Sequence, residues 1–255
     1  MRTRALAHRP AADSLALVRA IAGELRPEAD QLTEWHDRYA SNHDRRIALD
    51  LDLVEARVER GGRVLECGSV PLLLTGALAR RGFEVTGTDL APERYGSAIA
   101  AEGLEVVRCD LEREPLPFAD ATFDAVLFNE LFEHLRIDPI FTLSEVRRVL
   151  RPGAPMLLST PNLRSLRGLA NFLLRNRSFS SCGDVYAEYR KLTELGHMGH
   201  VREYTTREVV DFLAHIGFEV REMLFRGNYP HPWSAAAVWL FPSLRPFVTY
   251  AAIKT

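Results

Sequence analysis

Cysteine is scarce in this chain of 255 residues: Cys67, Cys109 and Cys182 stand far apart and form no Cys-x-x-Cys pair. That spacing excludes a thiolate zinc site and points to a reducing compartment without disulfides. Lysine is scarcer still, present only at Lys191 and Lys254. Arginine carries the remaining positive charge, and its scatter along the chain reads as a codon bias. No sign of charge dominates, because the formal net charge is −2 and the pI about 6.5. A global basic field that would drive sequence-independent binding to nucleic acid is therefore missing. No apolar run approaches the ~20 residues of a membrane span; the longest runs from Ser234 to Phe241. The Arg-rich start has the composition of a transit peptide, and Arg19 interrupts the continuous apolar core that a secretory signal requires. These absences leave a cytoplasmic protein as the expectation.

What is present is an ordinary globular composition, 47% hydrophobic, in a chain long enough for one large α/β domain with a cap. Leu15, Val18, Ile21, Ala22 and Leu25 recur at helical spacing and predict a helix over 13–25. A second helix is expected over 43–59, ended by Gly61 and Gly62. Strands follow at 63–67, 83–90, 104–111, 123–130 and 154–162, separated by helices that stop at Gly82, Gly103 and Pro152-Gly153. Such βαβα alternation calls for a mostly parallel sheet with helices on both faces. Residues 164–204 break the pattern with one helix and a polar loop rich in His, Tyr and Gly. They read as an insertion over the carboxyl edge of the sheet, where ligands bind in such folds. Regularity returns at Thr205, where Thr205 and Glu208 make a capping box for a helix that Gly217 ends. Strands are expected over 218–225 and 246–255. The domain reading is an N-terminal helical cap over 1–60 and the alternating domain over 61–255, with 164–204 as a lid.

The chemistry gathers at the strand ends. Glu66, Asp89, Asp110 and the pair Asn129-Glu130 each close one strand. A phosphate-bearing cofactor would meet too much negative charge there, whereas a cationic, hydroxyl-rich one would not. Asp89 suits two ribose hydroxyls, since a carboxylate accepts two hydrogen bonds, and Asp110 suits an adenine amino group. The competing reading is that each Asp caps the helix after it. The first turn keeps Gly68 but has Val70 and Leu72 where a dinucleotide loop carries further glycines, which excludes an NAD-dependent dehydrogenase. Val70 disfavours positive φ, and Pro71 is expected in the first turn of the following helix. A second constellation is Glu130, Glu133 and His134, joined by His197 and His200 ahead of the Thr205 helix. Two carboxylates and an imidazole suit a hard or borderline divalent ion, and a solvated helix start is the alternative.

The stretches "VLECGS", "EVTGTDLAPE", "VRCDL", "FDAVLFNELFEHL" and "EVRRVLRPGAPMLLSTPN", covering residues 63–162, together with the closing "TREVVDFLAHIGFEV", resemble a class I S-adenosylmethionine (SAM) dependent methyltransferase. The resemblance implies a Rossmann-like α/β fold with a mostly parallel seven-stranded sheet. It implies a SAM site formed by Glu66, Gly68, Ser69, Asp89, Leu90, Asp110, Leu111 and Asn129. Glu66 and Gly68 would lie near the methionine part, Asp89 on the ribose, and Asp110 and Leu111 beside the adenine. The departures are Val70 and Leu72, where relatives usually have glycine. The acidic–histidine pattern is similar to that of small-RNA 2′-O-methyltransferases and ubiquinone-pathway O-methyltransferases. That implies Glu130, Glu133, His134 and His200 as ligands of magnesium or manganese, with His134 or His197 as proton acceptor. Trp35, His36, Tyr39 and His43 would approach the cofactor edge by the same analogy, or simply pack an amphipathic helix.

The expected activity is SAM-dependent O-methylation, metal-assisted, on a vicinal diol of a sugar, glycan precursor or other small metabolite. Three alternatives remain: a metal-independent small-molecule N- or O-methyltransferase, an RNA 3′-end 2′-O-methyltransferase, and a non-catalytic SAM-fold binding protein. The expected partner is a hydroxylated small molecule; the acidic pI disfavours nucleic acid, and a homodimer is compatible with the sequence. The apolar stretch "HPWSAAAVWLFPSLRPF" is expected to pack in the core, with a lid, a dimer face or a membrane-surface patch as other readings.

Overall fold

The computed structural model describes residues 2–6, 9–195 and 199–255. In chain order the elements are β1 (Arg2–Ala5), α1 (Ala12–Glu24), α2 (Asp30–Glu55), β2 (Arg63–Cys67), α3 (Leu73–Arg80), β3 (Glu84–Asp89), α4 (Gly96–Glu102), β4 (Glu105–Arg108) and β5 (Ala125–Asn129). They continue with α5 (Pro139–Val149), β6 (Pro155–Pro161), α6 (Leu166–Arg175), α7 (Val185–Leu195), α8 (Thr206–Ile216), β7 (Phe218–Arg226), α9 (Pro232–Leu240) and β8 (Phe247–Lys254). The strands follow the order β1-β7-β8-β6-β5-β2-β3-β4.

One compact unit comprises His8–Leu127 and Val149–Pro155. Within it β2 pairs in parallel with both β3 and β5, and β3 pairs in parallel with β4. The buried run Val64, Leu65, Glu66, Cys67 shows why β2 reads as an interior strand. Helix α1 buries Val18 and Ile21. It approaches α3 closely at Gly76, where a Cβ would lie 3.0 Å from Leu25 Cδ1 and 3.3 Å from Ile21 Cγ2. His36 on α2 is fully buried, with Nδ1 2.7 Å from the Tyr95 hydroxyl and Nε2 2.9 Å from the Ala22 carbonyl oxygen. Both ring nitrogens are thus used in packing, the structural reading of that residue.

The other unit comprises Met1–Ala7, Phe128–Arg148 and Met156–Thr255. Here β1 pairs in parallel with β7, and β7 pairs antiparallel with β8, with a register shift between Val220 and Glu222. The capping box at Thr205 and Glu208 forms as expected, and Gly217 ends α8 with φ +93°. A two-residue backbone bridge, Val201 N and Arg202 N onto the Glu133 carbonyl oxygen at 2.9 and 3.3 Å, fastens the segment before α8 to the turn after β5. Phe132 stacks on Tyr204 with ring centroids 4.4 Å apart.

Four expectations change. The sheet has eight strands, because the Arg-rich start supplies β1; all four of its residues are exposed, so no apolar alternation marks it. Helix α2 starts at Asp30 rather than near residue 43, its first half presenting a buried histidine instead of an apolar stripe. Part of the expected polar loop is helix α7, which exposes Val185, Tyr186 and Tyr189 and buries Glu188, an inverted polarity that hides the helical period. The stretch expected in the core is α9, of which only Val238 is buried while Trp233, Trp239, Leu240 and Phe241 beside it are exposed. No helix among the described residues is long and apolar enough to cross a membrane.

Candidate active site

The acid–histidine cluster is built on the turn after β5. Glu130 leaves the strand with φ +53°, a left-handed conformation that costs a non-glycine residue ~1–2 kcal/mol. Phe132–His134 then form a single 3₁₀ turn. Hydroxyls of β6 hold both carboxylates: Ser159 Oγ donates to Glu130 Oε1 at 2.8 Å, and Thr160 Oγ1 donates to Glu133 Oε2 at 3.0 Å. Glu133 Oε1 is buried with no hydrogen-bond partner among the described residues. Burial, reinforced by the neighbouring Glu130 carboxylate, pushes the Glu133 carboxyl well above the usual carboxylate range.

The two imidazoles are oriented by different means. His134 Nδ1 donates to the Gly199 carbonyl oxygen at 3.0 Å, which places the proton on Nδ1 and leaves Nε2 a lone pair. Burial, then the His200 ring, pushes His134 down to about 4. Gly199 is needed for this contact, since a Cβ there would sit 2.2 Å from the Glu188 carbonyl oxygen. His200 meets His134 edge to face at 4.7 Å between centroids, and its Nδ1 lies 3.1 Å from Ser181 Oγ and 3.4 Å from Glu203 Oε1. Glu203 also accepts from Ser180 N at 2.6 Å, from Ser181 N at 3.0 Å and from the hydroxyls of both serines. Burial opposes its charge, but the hydrogen bonds from His200, Ser180 and Ser181 outweigh it and hold Glu203 at about 2.

Of the four expected ligands, the structure gathers three. Donor atoms of Glu133, His134 and His200 lie within 4.8 Å of one another. Glu130 is outside that group; its Oε1 is taken by Ser159 and by the buried Arg226, whose Nη2 is 3.4 Å away. His197 lies outside the described residues. A second group, Cys182, His200 and Glu203, shares His200. Burial pushes the Cys182 thiol up to about 12, so it offers no thiolate near neutral pH. Glu203, Ser181 and Thr160 are absent from the sequence reading. Glu203 stands three residues after His200, a spacing that could have flagged it.

The other expected residues belong to the ends of β2, β3, β4 and β5 and the turns after them. Glu66 is buried at the end of β2, and Thr75 Oγ1 donates to its Oε2 at 2.5 Å. Burial pushes Glu66 up to about 8 against that hydrogen bond, and Asp50 and Asp89 add to the push. Gly68 has φ +69°, and both Gly68 N and Ser69 N donate to the Thr88 carbonyl oxygen, at 2.8 and 3.1 Å. Ser69 Oγ is buried without a hydrogen-bond partner among the described residues. Asp89 accepts from Val70 N at 3.1 Å and Ala91 N at 3.0 Å, tying the loop to the strand that follows it. Leu90 is exposed. Asp110 accepts from Glu112 N at 3.1 Å, opening the turn that contains Leu111. Asn129, the last residue of β5, has both side-chain polar atoms buried and without partners among the described residues. The expectation for Pro71 needs correction. It precedes the helix, joined to Val70 by a cis peptide, and Leu72 takes the N-cap position with φ +68°. Leu72 thus adopts the left-handed backbone that ended the preceding loop, and the first helical residue is Leu73.

Residues 65–158 match the methyltransferase-domain family. The chain is 32% identical over 189 residues to the ubiquinone biosynthesis O-methyltransferase of Xylella fastidiosa, covering 72% of this chain and 71% of that protein. It is 39% identical over 117 residues to the protein of the same name from Xanthomonas oryzae pv. oryzae, covering 44% of this chain and 48% of that protein. Among solved structures it is similar to a SAM-dependent methyltransferase from Thermotoga maritima, a possible histamine N-methyltransferase, with a TM-score of 0.57, 19% identity and coverage of 94% and 100%. It is also similar to the Burkholderia thailandensis 1,6-didemethyltoxoflavin-N1-methyltransferase, solved with its substrate and S-adenosylhomocysteine, with a TM-score of 0.56, 18% identity and coverage of 95% and 89%. The two structures share the fold with this chain.

Proposed function

From the premise that this chain belongs to the class I SAM-dependent methyltransferases, we propose that it methylates a hydroxyl group of a small molecule that presents two adjacent oxygens, with a divalent cation held by Glu133, His134 and His200. The acceptor class is a vicinal diol or catechol-like pair in a sugar, a glycan precursor or another small metabolite. Transfer to oxygen is supported by the two relatives named as O-methyltransferases.

The observation that carries the metal reading is the buried Glu133 Oε1, without a partner among the described residues, beside two imidazoles. Buried polar atoms are almost always paired, so an orphaned carboxylate oxygen marks a missing partner. One carboxylate and two imidazoles form a borderline donor set, a better fit to manganese than to magnesium, which prefers oxygen throughout. Glu130 then serves as a brace, its carboxylate kept by Ser159 and Arg226. His134 is assigned as a ligand; held at about 4, its imidazole is too weak a base to keep a proton at neutral pH.

The cofactor residues fit a ligand in the same sense: buried Ser69 Oγ has no hydrogen-bond partner among the described residues. Glu66 offers a carboxyl that a cationic amino acid moiety would ionise, and Asp89 presents a carboxylate, a group able to accept from ribose hydroxyls. When bound, SAM supplies the methyl group, and a divalent cation lowers the pKa of a coordinated hydroxyl. The chain's own contribution is orientation. Gly199 fixes the His134 ring, and Glu203 with Ser181 fixes the His200 ring, so the donor atoms need little reorganisation. Manganese titration followed by electron paramagnetic resonance, alongside methylation of a panel of diols and catechols, tests the proposal. Stoichiometric manganese binding lost in Glu133→Gln supports it. Methyl transfer that survives chelation and that substitution sinks the metal reading and leaves a metal-independent enzyme.

A further inference from the structure

Beside the acid–histidine cluster stand two arginines and a single carboxylate to match them. Strand β7 ends at Arg226, whose side chain is buried and whose Nη2 lies 3.4 Å from Glu130 Oε1. Arg226 pairs with Phe247, the first residue of β8, and Arg245 stands two positions before that residue. Asn162, directly after β6, fastens the corner. Its Nδ2 donates to the Ser243 and Arg245 carbonyl oxygens at 2.9 and 2.8 Å, and its backbone N–H donates to the Pro246 carbonyl oxygen at 2.8 Å. Arg245 is thereby held where β5, β6 and β7 end, the edge that carries Glu130 and, three residues on, Glu133.

The Arg245 guanidinium is held at one edge only. Nη1 donates to the Gly227 carbonyl oxygen at 2.6 Å. That approach needs a glycine: Gly227 has φ +82°, and a Cβ there would lie 2.6 Å from Pro246 Cγ. At the other edge, Nε is buried with no hydrogen-bond partner among the described residues. The Nε–Nη2 edge is a fork that takes a carboxylate through two parallel hydrogen bonds. No acid of the chain fills this role among the described residues. Residues 223–255 contain no aspartate or glutamate, and Glu130 is engaged by Ser159 and Arg226. Burial, unopposed by any carboxylate, accordingly pushes Arg245 below its ordinary value. A charge taken out of water is normally paired, so this one marks an absent anion.

We propose that Arg245 recognises the acceptor, its Nε edge binding a carboxylate carried by the molecule that is methylated; this rests on the small-molecule acceptor reading above. Charge selects the class. Glu130 answers Arg226, so Arg245 leaves one positive charge uncompensated. A carboxylate monoanion neutralises it, whereas a phosphate dianion exceeds it. The acceptor is therefore a dihydroxy acid, such as a sugar acid or a catechol acid, rather than a neutral diol.

Calorimetry of the full chain with S-adenosylhomocysteine, with and without manganese, tests this on matched pairs: 3,4-dihydroxybenzoate, 3,4-dihydroxycinnamate and glucuronate, each against its amide. In at least one pair the acid is expected to bind about tenfold more tightly than the amide, as a charge-assisted bidentate contact provides. Arg245→Met is expected to erase that preference. Arg245→Lys, which keeps the charge and loses the fork, is expected to keep only part of it. Equal affinity for acid and amide in every pair overturns the proposal, and so does a preference that survives Arg245→Met. Thermal melting reports whether each variant is folded; if the methionine variant is not, an undiminished preference in the lysine variant overturns the bidentate contact. Failure of the proposed reaction is read separately. An acid preference that needs Arg245, without methyl transfer to any diol, upholds this site and sinks that reaction. Methyl transfer to the amides as readily as to the acids upholds the reaction and overturns this site.

Discussion

Replacing Glu66 with Gln removes one ionisable group from the end of β2 and leaves its shape. In the folded chain Glu66 titrates at about 8 against an ordinary value of 4.5, chiefly through burial. Between those values the unfolded chain releases a proton that the native chain keeps, so native stability falls as pH rises from 4.5 to 8. At ~1.4 kcal/mol per pH unit, the penalty near pH 7 is roughly 3 kcal/mol, near pH 8 roughly 4 kcal/mol, and near pH 5 about 1 kcal/mol or less. Glu66→Gln cannot ionise and escapes it. Urea unfolding of both proteins without ligand at those three pH values measures the difference. The variant is expected to be more stable near neutrality, by a margin that shrinks on acidification. Thr75 Oγ1 can donate to the amide oxygen as it does to Glu66 Oε2, so any change in that bond is at most ~1 kcal/mol at every pH and leaves the slope untouched. A margin independent of pH, or one that grows toward acid, refutes the reasoning. In the proposed cofactor role the same substitution weakens SAM binding in calorimetry, so stability and affinity move in opposite directions.

Glu203→Gln removes the opposite dependence: Glu203 titrates at about 2, so its contribution is complete above 4.5 and disappears as pH falls through 2. The variant is expected to be less stable than the parent above pH 4.5 in urea unfolding, by a margin that vanishes as pH falls through 2, and to bind manganese about 10–100-fold more weakly by resonance titration. Gly199→Ala forces a Cβ to 2.2 Å from the Glu188 carbonyl oxygen; a stability loss of about 1–3 kcal/mol and a similar fall in manganese affinity are expected, with SAM affinity unchanged. At Leu72, which is fully buried with φ +68°, alanine is expected to cost about 2–5 kcal/mol, and glycine ~1 kcal/mol less than alanine because it relieves the left-handed strain. Chemical denaturation of the two variants checks that order, the reverse of the order within a helix.

Much of the fold was legible because apolar periods and glycine stops mark the elements from β2 to β6 and again α8, β7 and β8. What escaped had the wrong polarity for its class. β1 is a wholly exposed Arg-rich edge, α2 begins on a face that buries a histidine, α7 turns a glutamate inward, and α9 turns its tryptophans outward. The candidate site divides along the same line. Glu133, His134 and His200 were visible as residue types that seldom cluster without a reason. Thr160, Ser181 and Glu203 were not, because they are common residue types whose hydrogen bonds to the cluster only the fold reveals. Glu130 misled for a related reason. Its spacing to Glu133 fits a shared helical face, but the chain reverses at Glu130 with positive φ and makes only a short 3₁₀ turn, which sends its carboxylate to Ser159 and Arg226.

The cofactor loop shows how a sequence rule can fail while its physical basis holds. Glycine is expected at Val70 and Leu72 because a loop of this kind needs positive φ and close backbone approach. Both needs persist here, met by other means. Leu72 takes positive φ itself, and its complete burial, worth ~1.5–3 kcal/mol, offsets a left-handed strain of ~1–2 kcal/mol. Close approach is supplied from across the loop by Gly87 on β3, where a Cβ would sit 2.6 Å from Ser69 Oγ and 2.8 Å from Ser69 Cβ. The loop folds down onto β3 through Gly68 N and Ser69 N on the Thr88 carbonyl oxygen, so the side chain missing at Gly87 makes the room that a glycine within the loop would otherwise provide. Val70 is then free to be branched, since its N–H is already committed to Asp89 and nothing in the turn requires its φ to be positive.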